Sequence, residues 1–261
     1  MTGRRVAVVT GAARGIGAAT VRRLAAAGWA VVAVDRCADD PEVPYPLAEP
    51  GQLDVLAEGF ELVRTVRADV RDEEGLRAAV DLAEREFGGL DAAVASAAVM
   101  LGGGPLWEQT DAQWRTLLDV DVMGVTRLAR AAVPALLRRP QPRSGRFVAL
   151  ASAAAHRGLW RLGAYCAAKH AVVGLVRGLA CDLRDTGVNA VAVSPGSTRT
   201  DMLRATADLY GLPDVDDLAD RQLTGRPLEP EEVAAVVAWA CSADSFSVTG
   251  SVLHADGGFT A

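Results

Sequence analysis

The sequence predicts an α/β protein in which seven parallel strands form a doubly wound sheet with helices on both faces. Seven short apolar runs alternate with helical patterns along the 261 residues, which favours parallel strands joined by right-handed crossovers. The first run leads through a glycine-rich turn directly into a helical pattern. Half of the residues are hydrophobic, which suits a sheet buried on both faces. No repeat, linker or domain break interrupts the pattern, so we expect one domain over residues 1–261.

Composition and charge exclude several classes of protein. The net charge of −6 argues against nucleic acid or an anionic membrane surface as partner. No run of eighteen apolar residues could span a membrane. The N-terminus enters a strand without the apolar core of a signal peptide, so we expect a cytoplasmic protein. The four cysteines and three histidines lack metal-ligand spacing, so we expect reduced thiols and no metal site.

The first strand and helix, with the turn between them, predict a dinucleotide site. Residues 5–10 form the strand, and a helical pattern follows as far as residue 27. The turn, TGAARGIG, contains Gly11, Arg14, Gly15, Ile16 and Gly17. Its glycines let the backbone approach a pyrophosphate, and the unpaired N–H groups at the start of the helix would bind that anion.

The end of the second strand indicates which dinucleotide binds. Residues 30–34 form this strand, and Asp35 follows it. A carboxylate at this position would accept hydrogen bonds from the adenosine ribose and repel a 2′-phosphate, which favours NAD over NADP. Arg14 and Arg36 keep the alternative open, because arginine can pair with that phosphate.

Residues 37–61 are too long for a simple loop between a strand and a helix. This segment, which we call the proline-rich segment, contains four prolines and a helical pattern over residues 52–60. Its apolar Val43, Tyr45 and Leu47 indicate that it packs on the domain near the cofactor. The alternative is a variable surface excursion, since long loops in compact domains are either functional or disordered.

The later elements complete the alternation of strands and helices. Asp69 and Val70 follow the third strand, where the carboxylate could accept from the adenine amino group. Thr110 can cap a long helix, which Pro134 would kink. The remaining strands are predicted over residues 62–68, 92–95, 147–151, 189–193 and 252–255, and the helices over residues 72–87, 111–138, from Tyr165 to about 185, and 230–240.

Ser152, Tyr165 and Lys169 form a candidate catalytic group. Tyr165 and Lys169 lie four residues apart and so share one face of a helix, while Ser152 ends the fifth strand. A free phenol ionises near pH ~10, and a cation one helical turn away lowers that pKa. Tyr165 could therefore serve as general base toward an alcohol or general acid toward a ketone. Lys169 is the only lysine of the chain, which otherwise uses arginine.

Residues 197–226 predict a mobile lid over a partly apolar substrate. This segment is polar and mixed, with scattered apolar residues at Met202, Leu203, Leu209, Tyr210 and Leu212. Together with Trp107, Leu159 and Trp160, these residues suggest an apolar or ring-containing alcohol. The same side chains could instead be core or subunit contacts.

Taken together, these motifs resemble the short-chain dehydrogenase/reductase family along nearly the whole chain. The resemblance rests on TGAARGIG, Asp35, Asp69, the Ser152–Tyr165–Lys169 group, Pro195-Gly196 and the closing DGG. It implies a Rossmann fold in which Tyr165 is the acid/base, Lys169 grips the nicotinamide ribose and Ser152 orients the substrate. It also implies homotetramers. The motifs and the resemblance together give the cofactor-binding set Gly11, Arg14, Gly15, Ile16, Gly17, Asp35, Arg36, Asp69, Val70, Ala97, Tyr165, Lys169, Pro195, Gly196, Thr198 and Thr200.

A narrower resemblance concerns the proline-rich segment and the block around Tyr165. Both are similar to the mycofactocin-coupled subgroup of actinobacteria. That resemblance implies a segment that covers NAD so that the cofactor does not exchange freely. Electrons would then leave through mycofactocin, a peptide-derived redox carrier.

Two positions depart from the family pattern. The family's NNAG after the fourth strand is Ala95-Ser96-Ala97-Ala98 here, which removes side-chain amides that brace the sheet. The family's catalytic asparagine, which holds a water behind the lysine, falls at Asp121. An aspartate can accept from that water but cannot donate as an amide does, and it could pair with Lys169.

These observations favour an oxidoreductase that moves a hydride between a secondary alcohol or ketone and NAD. The alternative enzyme is an ordinary ketoreductase of a biosynthetic pathway that exchanges NAD(P)(H). The alternative outside enzymes is an NAD-binding protein whose chemistry has lapsed, supported only by Asp121 and the missing amides.

Overall fold

The computed structural model describes residues 4–261 and contains one sheet of seven parallel strands. The strands are β1 (Val6–Thr10), β2 (Ala30–Asp35), β3 (Val63–Arg67), β4 (Ala92–Ala95), β5 (Arg146–Leu150), β6 (Asn189–Pro195) and β7 (Val252–Ala255). Their order across the sheet is β3-β2-β1-β4-β5-β6-β7, and every neighbouring pair is parallel. The predicted doubly wound α/β fold is therefore confirmed.

Eight α-helices cover the two faces of the sheet in the described part of the chain. They are α1 (Gly15–Ala26), α2 (Gln52–Ala57), α3 (Glu73–Phe87), α4 (Asp111–Leu117), α5 (Gly124–Arg138), α6 (Gly163–Asp182), α7 (Asp201–Tyr210) and α8 (Pro230–Cys241). Helices α3, α5 and α6 cover one face, and α1, α2 and α8 the other. Alternation along β1 separates the two cores, since Val6 and Val8 join the first and Ala7 and Val9 the second. Each fully buried valine or leucine contributes roughly 1.5–3 kcal/mol.

The long helix predicted over residues 111–138 is interrupted at a place that the sequence did not indicate. One turn of π-helix, Leu118–Met123, separates α4 from α5, whereas Pro134 lies inside the continuous α5. The kink expected at Pro134 stays a prediction, since the proline does not end the helix. A π-turn rotates the residues after it by about 100° relative to a regular helix. In this chain the π-turn contains Asp121, whose side chain is fully buried.

Other details also differ from the prediction. Helix α6 ends at Asp182 rather than near residue 185, and α2 ends at Ala57 rather than at residue 60. Residues 197–226 contain helix α7, which begins after Thr200 because the threonine hydroxyl accepts from the Leu203 N–H. None of the described helices is long and apolar enough to cross a membrane.

The topology places a crevice at the carboxyl ends of the strands. The chain leaves β1 toward β2 on one side and later returns to β4 on the other, so the winding direction reverses between β1 and β4. Ligands of open α/β sheets bind at this switch point. The glycine turn follows β1, and the Ala95–Ala98 stretch follows β4, so both lie at the crevice.

Candidate active site

A cavity of about 690 Å³ runs along the carboxyl ends of the strands. It is lined by every predicted cofactor residue and by Ser152, and Asp121 is the one predicted site residue that does not line it. The cofactor-side lining consists of Gly11, Arg14, Gly15, Ile16, Gly17, Asp35, Arg36, Asp69, Val70, Ala97, Pro195, Gly196, Thr198 and Thr200. Tyr165 and Lys169 line the same cavity. The fold therefore brings the dinucleotide motif and the candidate catalytic group into one space.

The glycines of the turn after β1 allow a close backbone approach that a side chain would prevent. A Cβ at Gly11, where φ is +64°, would lie 2.6 Å from the Ala97 Cα, and a Cβ at Gly17 would overlap the Gly11 carbonyl oxygen. No side chain caps the N-terminus of α1, and no acidic residue lies in its first turn. Its free N–H groups and the positive end of its dipole therefore suit a pyrophosphate.

The Asp35 carboxylate is held in a fixed orientation at the end of β2. One oxygen accepts from the Ala13 N–H at 3.1 Å, and the other accepts from the Cys37 N–H at 3.0 Å. Each oxygen keeps a further lone pair that can accept from a ribose hydroxyl. These acceptor positions on Asp35 thus fit a dinucleotide with free ribose hydroxyls.

Arg14 and Arg36 kept NADP as an alternative cofactor in the sequence analysis. In the structure, both side chains have partners within the chain. Arg36 donates to the Asp40 carboxylate at 2.7 Å and to the Asp39 carbonyl oxygen at 2.8 Å. Arg14 donates to the Pro46 carbonyl oxygen at 2.8 Å and pairs with Asp201 at 3.1 Å. Arg14 therefore connects the proline-rich segment with the start of α7 across the mouth of the cavity.

Asp69 is engaged by a neighbouring arginine. Arg71 donates to both of its oxygens, with Nη2 at 2.7 Å from one of them. Burial alone would raise the pKa of Asp69, but the hydrogen bonds and charge of Arg71 outweigh burial and lower it. An adenine amino group bound at Asp69, as predicted, would therefore share the carboxylate with Arg71.

Thr10 provides a brace that the sequence analysis missed. Its hydroxyl oxygen accepts from the Ser96 N–H at 3.2 Å and the Ala97 N–H at 3.4 Å, and the hydroxyl donates to the Val94 carbonyl oxygen at 3.4 Å. These bonds join the ends of β1 and β4, next to the place where the family pattern has side-chain amides. A hydroxyl residue immediately before the glycine turn was the available signal.

Ser152, Tyr165 and Lys169 converge at the catalytic end of the cavity. Strand β5 ends just before Ser152, and α6 presents Tyr165 and Lys169 from successive turns. The Lys169 ammonium lies 5.7 Å from the centre of the Tyr165 ring and donates to the Leu150 carbonyl oxygen at 3.3 Å. Tyr165 is 8% exposed and Lys169 is 3% exposed.

The pKa of Tyr165 is raised above that of a free phenol in the protein alone. Burial is the largest cause, because it disfavours the charged phenolate. Lys169 and a hydrogen bond with Ser152 act in the opposite direction, while Asp121 adds to the increase. The expected lowering by Lys169 is therefore present but is outweighed.

The proline-rich segment packs on the domain, in agreement with the prediction from its apolar residues. Val43 is buried in the core, and Tyr45 and Leu47 contact the core. The Tyr45 hydroxyl oxygen accepts from the Met100 N–H at 2.8 Å, a contact that the sequence analysis did not locate. Asp40 is buried and pairs with Arg36 at 2.7 Å and Arg71 at 2.8 Å.

The other end of the cavity has an apolar wall. Leu159, Trp160, Met202 and Tyr210 line it, as the sequence suggested. The Tyr210 hydroxyl donates to the Trp160 carbonyl oxygen at 2.7 Å, and the two rings lie 5.7 Å apart. Trp107, which the sequence analysis grouped with these residues, does not line the cavity and is 84% exposed.

A family model described as enoyl-(acyl carrier protein) reductase matches residues 11–260. The chain belongs to the short-chain dehydrogenase/reductase family. It is 38% identical over 258 residues to cis-4-hydroxycyclohexanecarboxylate dehydrogenase of Sinomonas cyclohexanicum, covering 98% of this chain and 97% of that protein. It is 32% identical over 272 residues to (-)-trans-carveol dehydrogenase of Rhodococcus erythropolis, covering 98% and 97%.

A solved structure is similar over the whole fold. Carveol dehydrogenase from Mycobacterium avium, in complex with NAD, superposes with a TM-score of 0.92 at 30% identity, covering 99% of this chain and 98% of that chain. The family assignment makes the chain an oxidoreductase. Its dehydrogenase relatives are named for alcohols that contain a ring.

Proposed function

We propose that the protein is an NAD-dependent dehydrogenase that interconverts a secondary alcohol and the corresponding ketone. The observation that carries the proposal is the single cavity that joins the glycine turn to Ser152, Tyr165 and Lys169. A protein that only bound NAD would not require a buried tyrosine and lysine in the wall of that cavity. When bound, NAD supplies the ring carbon that accepts the hydride from the alcohol.

The residues of the chain would divide the remaining work. The Ser152 hydroxyl orients the substrate oxygen by a hydrogen bond. The Tyr165 oxygen takes the hydroxyl proton while the C–H bond of the alcohol breaks, and it returns that proton in the direction of ketone reduction. The charge of Lys169 favours the phenolate form of Tyr165. The buried position of both side chains keeps bulk water from the reacting oxygen.

NAD rather than NADP is the cofactor that the site favours. The Asp35 carboxylate would lie against any 2′-phosphate and repel it. Arg36, which could compensate for that charge, is already bonded to Asp40 and the Asp39 carbonyl oxygen. The NAD complex of the similar carveol dehydrogenase from Mycobacterium avium supports the same preference.

The substrate class that we propose is a secondary alcohol on an apolar ring. Leu159, Met202 and Tyr210 give the cavity an apolar wall opposite the catalytic group. The two named relatives act on a hydroxylated cyclohexane ring and on carveol, according to their names. A flat apolar wall suits such rings because burial of their carbon surface contributes to binding.

Replacement of Tyr165 tests the proposed function. Tyr165→Phe should lower kcat for oxidation of cyclic secondary alcohols by about 10²–10⁴-fold, because the acid/base is lost. NAD binding, measured by calorimetric titration, should stay within a few-fold of wild type. Tyr210→Phe is the matched control, since it also removes one phenol from the cavity wall. Equal inactivity of wild type and Tyr165→Phe over a broad alcohol panel would instead support a lapsed NAD-binding protein.

Coupling to mycofactocin is the second part of the proposal. It is supported by the proline-rich segment, whose Asp40, Leu47 and Ala48 line the cofactor cavity. A covered cofactor would be reoxidised in place by an external carrier rather than exchanged. Wild-type protein purified without added cofactor and dialysed at length should then release near-stoichiometric NAD on denaturation. Empty protein would favour the ordinary enzyme that exchanges NAD(P)(H), and bound NADP would contradict the role given to Asp35.

The homotetramer implied by the family resemblance stays a prediction. Leu118, Trp239 and Phe246 are exposed large apolar side chains, which are typical of subunit contacts. A single species with four times the chain mass in light scattering would support the tetramer, and a monomer would contradict it.

A further inference from the structure

The side chain behind Lys169 is an ionisable group in a fully buried place. Asp121 Oδ2 lies 3.1 Å from Lys169 Nζ, with exposed fractions of 0% and 3% for the two side chains. Asp121 Oδ1 accepts from the Val99 N–H at 2.9 Å. The carboxylate thus lies between an ammonium and a backbone N–H. Burial raises the pKa of Asp121, while the charge of Lys169 and the Val99 N–H act in the opposite direction and favour the carboxylate.

Lys169 is correspondingly held as the cation. Burial would lower the pKa of Lys169, but the Asp121 carboxylate and Tyr165 outweigh it and raise the pKa. The two side chains thus form an ion pair with no net charge. Its position directly behind the catalytic tyrosine means that the charge of Lys169 is already compensated before Tyr165 ionises.

The other ionisable groups near Tyr165 are neutral. Cys166, on the same helix, has a pKa raised by burial. Tyr45, from the proline-rich segment, has a pKa raised by burial as well. Ser152, from the end of β5, contributes only a neutral hydroxyl. The charge that Tyr165 experiences from its surroundings is therefore that of the Asp121–Lys169 pair.

The net charge of Tyr165, Lys169 and residue 121 together shows how Asp121 affects the ionisation of Tyr165. With Asp121 ionised, loss of the Tyr165 proton leaves the buried group with a net charge of −1. With a neutral amide at position 121, the same ionisation would cancel the charge of Lys169 and leave none. A buried uncompensated charge is far costlier than a compensated pair.

We propose that Asp121 is a positioning residue whose carboxylate compensates Lys169, so that Tyr165 ionises less readily and alcohol oxidation is confined to higher pH. The consequence for turnover rests on the proposed function, but the effect on Tyr165 ionisation does not. Asp121 does not line the cavity, so it acts through Lys169 rather than by touching substrate.

The direct test is the ionisation of Tyr165 in cofactor-free protein. The chain has three tyrosines, so ultraviolet absorbance of tyrosinate against pH, minus the same curve for Tyr165→Phe, isolates Tyr165. In Asp121→Asn, which keeps the shape and the acceptor for Val99, the midpoint should fall by about one pH unit or more. The absorbance curve of the Asp121→Asn, Tyr165→Phe double variant is subtracted from the Asp121→Asn curve in the same way.

Asp119→Asn is the matched control. Asp119 lies in the same π-turn and pairs with Arg127 at 2.7 Å, but its side chain is 44% exposed. Removal of this charge should leave the Tyr165 midpoint unchanged, because water screens exposed charges. Equal shifts in both variants would overturn the proposal, since the effect would then be general rather than transmitted by Lys169.

Enzyme kinetics supply the second readout. In alcohol oxidation, the acid limb of kcat/KM against pH should move to lower pH in Asp121→Asn by the same amount as the absorbance midpoint. An unchanged or higher absorbance midpoint would overturn the proposal whatever the activity. If Asp121→Asn fails to fold, the wild-type protein still tests the proposal. A Tyr165 ionisation midpoint in wild type that lies clearly below the ordinary phenol pKa of about 10 would contradict the proposal. A shifted midpoint without turnover in any variant would contradict the proposed function alone.

Discussion

The proline-rich segment and residues 197–226 both contribute to the wall of the cavity, and they are attached to the domain in different ways. The proline-rich segment is attached by buried groups, namely the Asp40 carboxylate between Arg36 and Arg71 and the Tyr45 hydroxyl on the Met100 N–H. Residues 197–226 have a small cluster of their own, Leu203, Ala207 and Val215, and only partly buried side chains such as Met202 and Tyr210 pack against the main core.

The attachments of residues 197–226 lie mostly at the surface. The Arg226–Glu232 pair and the Arg199–Glu229 pair are exposed, and the hydrogen bond from Tyr210 to Trp160 is exposed as well. Water screens exposed pairs of this kind, so each contributes little to the attachment of this segment. We therefore expect the cofactor side to be held more firmly than the substrate side, as retention of NAD and exchange of alcohol would require.

The largest change is expected from loss of the Asp40 charge. Asp40→Asn should accelerate NAD dissociation by about tenfold or more, because the pairs with Arg36 and Arg71 hold the proline-rich segment against the domain. The same variant should bind NADP more tightly relative to NAD, since Arg36 becomes free to pair with a 2′-phosphate. Stopped-flow displacement measures the dissociation rate, and calorimetric titration measures both affinities.

Asp54→Ala is the control for Asp40→Asn. It also removes a carboxylate–arginine pair from the proline-rich segment, but the contact with Arg67 is long, at 3.5 Å, and both side chains are more than half exposed. Its dissociation rate and cofactor preference should match those of wild type. If Asp40→Asn behaved like Asp54→Ala, the buried pairs would not be what holds the cofactor side.

The smallest change is expected from the substrate side. Tyr210→Phe removes the single hydrogen bond to the Trp160 carbonyl oxygen and keeps the ring in place. The KM for a cyclic alcohol should rise by about 2–10-fold with little change in kcat, because one exposed bond contributes about 0.5–1.5 kcal/mol. A large fall in kcat at unchanged KM would show that Tyr210 takes part in the chemical step, which would remove the contrast between the two segments.

The features that the sequence predicted are those encoded locally. Alternating apolar runs gave the parallel sheet, and the spacing of Tyr165 and Lys169 gave their shared helix face. Helix α3 likewise lies within the helical pattern predicted over residues 72–87.

The features that the sequence did not predict depend on contacts between distant residues. The Tyr45 hydroxyl meets a backbone N–H 55 positions away, and Arg14 meets Asp201 at a separation of 187. The π-turn around Asp121 contains no proline or glycine from which it could have been predicted. Helix α7 lies in a polar stretch whose periodicity the scattered apolar residues did not reveal.

The single lysine makes the catalytic site separately observable. Because Lys169 is the only lysine in the chain, isotope-labelled lysine would place one side-chain ammonium signal in a nuclear magnetic resonance spectrum, with no surface lysine to overlap it. Reagents that modify amines at the surface would find no lysine there, because Lys169 is buried beside Asp121. The composition of the chain thus supplies a built-in probe of the charge state on which its chemistry depends.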